Sequence, residues 1–178
     1  MLFKIIYYII FKNGLKVINN QDIVILGLGN ILLKDEGVGV RVVERLKNEY
    51  HFDPPIKIID GGTLGFALIN EIEGCKKLIV IDAVKGGGDP GTIYKFKKGE
   101  VEFQIPQKLS AHDIGFMEVL EQWKILGVNP DVIFFGIEPE DITTWSMELS
   151  SKLKEKVSRL IELVLEELSK EGIRFQKR

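Results

Sequence analysis

Residues 22–40 read DIVILGLGNILLKDEGVGV and place a strand signal directly before a glycine-rich turn and a helix signal. Consecutive apolar residues at 23–26 predict a strand that is buried on both faces, and the run stops at Gly27. Apolar residues at a helical spacing then predict a helix over residues 38–50. A buried strand followed by a helix is the repeating unit of proteins built on a parallel sheet.

The same alternation of strand and helix signals continues along the chain. Strands are predicted at 56–59, 78–81, 92–96 and 132–137, an edge segment at 101–105, and helices at 64–72, 113–126 and 149–168. Too few residues separate the strands at 78–81 and 92–96 for a parallel crossover, which needs about a dozen. The second of these strands is therefore predicted to run antiparallel or to lie at a sheet edge. The resulting fold class is α/β, a three-layer α/β/α sandwich around a mostly parallel sheet with one antiparallel strand.

The two ends of the chain are assigned separately from this domain. Residues 1–21 are interpreted as an N-terminal extension that adds a strand or a helix. Their apolar run is too short for a membrane span, and no small-residue cleavage site follows it, which argues against a signal peptide. Residues 22–170 are predicted to form a single domain, and 171–178 a tail, with fraying expected from residue 170 onward.

Composition and charge exclude several classes of protein. The chain has 178 residues, a hydrophobic fraction of 45% and a formal net charge of −2. A nucleic-acid partner is not predicted, because general binding of nucleic acids needs a basic face. The single cysteine, Cys75, excludes a disulfide within the chain and fits a reducing compartment, which predicts a cytoplasmic protein. No membrane span is predicted, since the sequence lacks a run of about 20 apolar residues.

The glycine-rich turn argues against a nucleotide cofactor. A dinucleotide fingerprint requires the pattern G-x-G-x-x-G, followed at once by a helix whose amides hold a pyrophosphate. Here the third glycine is replaced by Leu32, and Asp35 and Glu36 bring carboxylates to the start of the helix. Carboxylates repel a phosphate at this position, so a nucleotide-binding enzyme is the weakest interpretation.

Polar side chains gather where the carboxyl ends of the predicted strands meet, the edge at which such sheets bind ligands. Glu36 follows the first strand, Asp82 ends the third, and His112 precedes a helix on the same edge. Each residue also has a purely structural interpretation. Glu36 could be a capping carboxylate beside an N-cap at Asp35, Asp82 a turn residue, and His112 a residue of the loop that starts a helix. Together, two carboxylates and one imidazole make a ligand set for zinc, nickel or manganese.

Five sequence blocks carry a more specific signal. They are GLGNILLKDEGVG at 27–39, DGGTLG at 60–65, IDA at 81–83, PGT at 90–92 and SAHDIG at 110–115. In this order they resemble the hydrogenase maturation endopeptidases, enzymes that trim the C-terminal tail of a nickel–iron hydrogenase large subunit. The resemblance covers residues 22–168, and it implies an α/β/α fold with a five-stranded sheet.

The resemblance also implies a site and a partner. Glu36, Asp82 and His112 match the family's metal-contacting positions, which engage nickel already present in the immature hydrogenase; zinc or cadmium can also occupy such a site. These three residues are therefore predicted to be both metal-binding and catalytic, with aspartyl-type and metal-dependent hydrolysis left open. The segment linked to substrate recognition matches Asp60, Gly61, Gly62 and Thr63. The implied partner is the large-subunit precursor, and Asp35 is interpreted as a structural cap.

Two functions follow from this resemblance. The favoured one is an endopeptidase that removes the C-terminal peptide from the large-subunit precursor after nickel insertion. The alternative is a non-catalytic nickel-sensing chaperone or binding module on the same fold. The two differ in whether the tail of a nickel-loaded precursor is cut.

Overall fold

The computed structural model describes residues 7–11, 14–18, 22–98 and 111–178. The strands are β1 (Tyr7–Phe11), β2 (Gly14–Ile18), β3 (Ile23–Leu28), β4 (Tyr50–Asp53), β5 (Lys57–Gly62), β6 (Lys77–Ala83), β7 (Ile93–Lys97), β8 (Asp131–Ile137) and β9 (Arg174–Lys177). The helices are α1 (Val38–Glu49), α2 (Ile69–Ile72), α3 (Ala111–Ile125) and α4 (Ser151–Lys170), with 3₁₀ turns at Lys34–Gly37 and Gly65–Leu68.

The central sheet has five strands in the order β5-β3-β6-β8-β7. Strands β5, β3, β6 and β8 are parallel, and every residue of β3 is buried, as its unbroken apolar run predicted. Strand β7 pairs antiparallel with β8, from Ile93 opposite Ile137 to Lys97 opposite Ile133. The mostly parallel sheet with one antiparallel edge strand is thus confirmed.

Helices cover both faces of this sheet. Alternate residues of β3 and β6 point to opposite sides, so each face has its own apolar cluster. Helices α1 and α4 pack on one face, whereas α2 and α3 pack on the other. The three-layer sandwich is confirmed. Within the described segments, no helix is long and apolar enough to cross a membrane.

The order of the strands creates a crevice at one edge of the sheet. From β3 the chain crosses to β5 on one side, and from β5 it crosses back over β3 to β6 on the other side. The connection after β3 passes through α1 on one face, whereas the connections after β5 and β6 lead to α2 and, beyond β7, to α3 on the other face. Such a point, between the carboxyl ends of β3 and β6, is where open α/β sheets bind ligands.

The predicted fraying of the C-terminal tail is wrong. Strand β9 pairs antiparallel with β4, with His51 opposite Gln176, and the Arg174 guanidinium forms an ion pair with Asp53. Buried Ile173 anchors the turn that returns the chain to β4. The first helix ends at Glu49, one residue earlier than predicted, and the next residues form β4.

Three other predicted segments have different outcomes. The helix predicted at 64–72 is instead the 3₁₀ turn Gly65–Leu68 followed by the short helix α2. Residues 101–105 lie outside the described part of the structure. Near the N-terminus, β1 and β2 pair antiparallel as a separate two-stranded sheet.

An ion cluster joins α4 to strands β6 and β7. The buried carboxylate of Glu167 accepts hydrogen bonds from Lys95 Nζ at 2.7 Å, Lys77 Nζ at 3.1 Å and Lys170 Nζ at 3.2 Å. Burial alone would raise the pKa of Glu167. The hydrogen bonds from Lys95, Lys77 and Lys170 outweigh burial and lower the pKa to about 2, from an ordinary value of 4.5.

Replacing Glu167 by glutamine is expected to reduce the loss in the free energy of unfolding that the wild-type protein shows as the pH falls below 4.5. Because the pKa is lowered in the folded state, the contribution of Glu167 is complete above pH 4.5 and is lost as the pH falls toward 2. Its size is on the order of 3 kcal/mol in the free energy of unfolding. Urea unfolding at a series of pH values measures it, with Glu166→Gln on the exposed face of α4 as the control. If the free energy of unfolding fell equally with decreasing pH in the wild type and in Glu167→Gln, the prediction would be contradicted.

Candidate active site

Glu36 lies in the 3₁₀ turn Lys34–Gly37 between β3 and α1, and its side chain is buried. Close backbone packing fixes this turn against the carboxyl end of β3. Gly29 has a φ of +119°, and a Cβ atom there would lie 1.7 Å from the carbonyl oxygen of Glu36. Only glycine fits both the conformation and the space, which explains why the turn after β3 needs this residue.

Asp82 lies at the carboxyl end of β6 and is half-buried. Its Oδ1 accepts a hydrogen bond from the Ala83 amide at 2.8 Å. The start of α1 packs directly beside it, because a Cβ atom on Gly39 would lie 2.2 Å from the carbonyl oxygen of Ile81. Glu36, at the start of the same segment, and Asp82 thus border the crevice between β3 and β6 from its two sides.

His112 is the second residue of α3, and the structure describes its backbone. The position of His112 relative to the two ends of the strands can be inferred from the contacts of Phe116, one turn later in the same helix. The Phe116 ring lies 6.3 Å from the Phe134 ring of β8, measured between centroids. Because α3 leads back into the start of β8, residues before Phe116 lie nearer the carboxyl ends of the strands. Four residues of helix span about 6 Å, which places the backbone of His112 toward that edge.

The segment 60–63 comprises the last three residues of β5 and the turn residue Thr63. The Oδ1 atom of exposed Asp60 accepts a hydrogen bond from the Gly62 amide at 3.0 Å. The carbonyl oxygen of Gly62 in turn accepts from the Gly29 amide at 3.0 Å, and Thr63 is exposed. Gly61 is buried against β3, since a Cβ atom there would lie 2.6 Å from Leu26 Cδ1. The predicted recognition segment therefore borders the same edge as Glu36.

Asp35 does not cap its own helix, and that interpretation is wrong. Its carboxylate is 0% exposed and accepts three backbone hydrogen bonds from a distant segment. Oδ1 accepts from the Ser150 amide at 2.7 Å, and Oδ2 accepts from the amides of Glu140 and Asp141, each at 3.0 Å. Among the described residues, no side chain caps α1. Asp35 is structural, as predicted, but it anchors the segment after β8 to the turn that carries Glu36.

Segment 138–150 is the part of the site that sequence reasoning missed. Lys34 Nζ forms an ion pair with Asp141 Oδ2 at 3.0 Å, beside the backbone hydrogen bond from the Asp35 amide to the Asp141 carbonyl. Hydrogen bonds from Thr144 and Thr143, together with that from Lys34, hold the pKa of Asp141 far below its ordinary value. Two adjacent carboxylates, at Asp35 and Glu36, are the sequence signal that could have found this anchor, because a helix start needs only one.

Large apolar side chains are exposed beside this turn. The Ser146 amide donates to the Leu32 carbonyl at 3.0 Å, and the Lys34 amide donates to the Ser146 carbonyl at 2.8 Å. Leu32, Trp145 and Met147 flank the single bridge that pairs Leu33 with Ser146. All three are exposed, Trp145 by 79%. Grouped apolar side chains of this kind mark contact sites for other proteins.

The structure thus brings Glu36, Asp82 and the recognition segment to one edge of the sheet. Among the described side chains, which do not include that of His112, no group of three or more His, Cys, Asp and Glu residues could hold a metal ion. The three-ligand site therefore stays a prediction.

Comparison with known proteins identifies the family that shares this geometry. A family model described as hydrogenase maturation protease matches residues 40–167. The chain belongs to the hydrogenase maturation protease family. Asp82 and His112 lie inside the matched range, and Glu36 precedes it.

Curated relatives of this hydrogenase maturation protease match most of its length. The hydrogenase expression/formation protein HupD of Bradyrhizobium diazoefficiens is 35% identical over 164 residues, which cover 90% of this chain and 85% of the relative. The hydrogenase 2 maturation protease of Escherichia coli is 33% identical over 153 residues, which cover 85% of this chain and 93% of the relative.

Solved structures of maturation proteases have the same fold. The hydrogenase maturating endopeptidase HybD from Escherichia coli has a TM-score of 0.80 at 33% identity and covers 88% of this chain and 97% of its own. The NiFe hydrogenase maturation protease HybD from Thermococcus kodakarensis has a TM-score of 0.70 at 28% identity, covering 81% and 97%. The protein is therefore a hydrolase, an endopeptidase that acts in hydrogenase maturation.

Proposed function

We propose that this maturation protease removes the C-terminal peptide from the precursor of a nickel–iron hydrogenase large subunit after nickel has been inserted. The observation that carries the proposal is the placement of Glu36 and Asp82 on opposite sides of one crevice, at the carboxyl ends of β3 and β6. His112 lies in the first turn of α3, and the backbone of this turn lies toward the same edge.

The donor atoms of these three residues suit the metal carried by the substrate. Two carboxylates and one imidazole bind nickel, and they also accept zinc or cadmium. In this proposal nickel belongs to the precursor, and Glu36, Asp82 and His112 bind it only when the precursor docks. The bound ion would polarise the scissile carbonyl or activate water, with one carboxylate moving the proton.

Other parts of the same edge would hold the protein substrate. Asp60 and Thr63 are exposed beside the crevice, so they can contact the extended tail of the precursor. The surface formed by Leu32, Trp145 and Met147 offers apolar contact next to Glu36. We place this reaction in the cytoplasm, which suits a chain whose single cysteine, Cys75, is a buried free thiol.

Incubation with nickel-loaded and nickel-free precursor tests this function. We expect intact-mass measurement to show release of one C-terminal peptide from the nickel-loaded precursor and no change in the nickel-free precursor. A nickel-sensing chaperone would instead retain the nickel-loaded precursor and leave its tail uncut. Equal cutting of both precursors would contradict the recognition of nickel while leaving the endopeptidase activity in place.

A further inference from the structure

The glycine triplet at 86–88, which follows β6, wraps around a buried carboxylate. Glu138 comes directly after β8 and is only 7% exposed. Its Oε2 atom accepts hydrogen bonds from the amides of Gly86 at 2.7 Å, Gly87 at 3.1 Å and Gly88 at 3.3 Å, and from the Tyr94 hydroxyl at 2.6 Å. Consecutive amides directed at one oxygen form a binding site for an anion, which Glu138 fills.

The packing of Tyr94 explains why this loop consists of glycines. A Cβ atom on Gly86 would lie 2.6 Å from Tyr94 Cζ, and one on Gly88 would lie 2.5 Å from Tyr94 Oη. Gly87 has a φ of +85°, a conformation that other residues rarely adopt. Burial, and after it the hydrogen bond to Glu138, raises the pKa of Tyr94, so its hydroxyl stays protonated and donates.

Glu138 also holds the rest of the loop through its backbone. The Glu138 amide donates to the Thr92 carbonyl at 2.8 Å, and the Gly91 amide donates to the Glu138 carbonyl at 2.8 Å. One residue earlier, the Ile137 carbonyl accepts from the Val84 amide at 3.0 Å. The connection from Asp82 to β7 is therefore bound at its start, middle and end to Glu138 and its neighbour.

We infer that Glu138 is a positioning residue for the endopeptidase reaction. Its carboxylate fixes the loop after β6, and this loop holds Asp82 in the orientation that meets the substrate. The inference rests on the proposed role of Asp82. Glu138 itself is buried, so its removal acts only through Asp82 and lowers the rate of cutting.

Steady-state kinetics on nickel-loaded precursor test the inference with three variants. Glu138→Ala is expected to lower kcat about 10- to 100-fold, because small displacements of a reacting group have effects of this size. Glu138→Gln keeps an oxygen that accepts from the glycine amides, so it should retain most of kcat. Tyr94→Phe removes one of the donors and should lower kcat by less than about tenfold.

Chemical rescue separates this role from a general effect on stability. Sodium acetate fits the space and charge left in Glu138→Ala, so it should restore part of kcat in a saturable manner and leave Glu36→Gln inactive. Amide hydrogen exchange at Gly86, Gly87 and Gly88 should become faster in Glu138→Ala and slow again in acetate.

Either of two results would overturn the role of Glu138. One is a folded Glu138→Ala variant with wild-type kcat or unchanged exchange at the loop. The other is an equal loss in Glu138→Gln and Glu138→Ala without rescue by acetate. A wild-type protein that leaves the tail uncut would instead overturn the proposed function, so the two failures are distinguishable.

Discussion

Replacing Glu36 by glutamine is expected to abolish release of the C-terminal peptide while the protein stays folded. Glutamine has the same size and keeps a hydrogen-bonding oxygen in the buried turn, so the packing of Gly29 against the backbone of residue 36 is preserved. It removes the negative charge with which Glu36 would bind nickel. Since loss of a residue that merely supports a metal ligand costs about 10- to 100-fold, loss of a ligand should exceed 100-fold.

Single-turnover processing of nickel-loaded precursor, followed by intact mass, measures this effect. Glu44→Gln is a matched control, because Glu44 lies on the outer side of α1 and pairs with Arg41 at 3.0 Å. It should cut the precursor at the wild-type rate. A Glu36→Gln variant that cuts within about threefold of that rate would contradict a role for Glu36 in binding nickel.

The Asp82→Asn variant extends the same experiment and separates two roles. If both carboxylates bind nickel, both variants should lose their preference for nickel-loaded over nickel-free precursor in a binding assay. If one carboxylate acts only in proton transfer, its variant should keep that preference and still leave the tail uncut. The assay therefore distinguishes a metal ligand from a general acid or base.

The central sheet could be predicted because its signals are local. Unbroken apolar runs at 23–26 and 78–81 indicated strands buried on both faces, and both are parallel strands of the sheet. The short connection between β6 and β7 ruled out a parallel crossover, and β7 is antiparallel. The positions of Glu36 and Asp82 at the carboxyl ends of strands followed from this topology alone.

Features that depend on distant partners could not be predicted in the same way. Every residue of β9 is exposed, and its sequence lacks the apolar alternation that marks a half-buried strand. Only pairing with β4 orders this segment. Asp35 binds amides 105 to 115 residues further along the chain. Nothing local distinguishes such a carboxylate from a helix cap. The side chain of His112 remains a prediction from the resemblance and from topology.

Replacing Asp35 by alanine is expected to have the largest effect on stability among the site residues. The change leaves three backbone amides, of Glu140, Asp141 and Ser150, without the carboxylate that accepts from them. A buried donor that loses its partner costs about 1–3 kcal/mol, so a loss of about 3–5 kcal/mol is expected after partial relaxation. This is a large fraction of the roughly 5–15 kcal/mol that stabilises a typical domain.

Urea unfolding measures this loss, and Asp89→Ala on an exposed loop is the control that should stay near the wild-type value. Asp35→Asn should also be destabilised, because the asparagine NH₂ group is a donor and would face backbone N–H groups that need an acceptor. Hydrogen exchange at the Glu140 and Asp141 amides should rise in both Asp35 variants even where global unfolding is rare. A free energy of unfolding within about 1 kcal/mol of wild type for Asp35→Ala would contradict the anchor. Because Asp35 adjoins Glu36, the same loss of anchoring would also let the turn that carries Glu36 move. A fully buried side chain would in this way affect the rate of the reaction at the site.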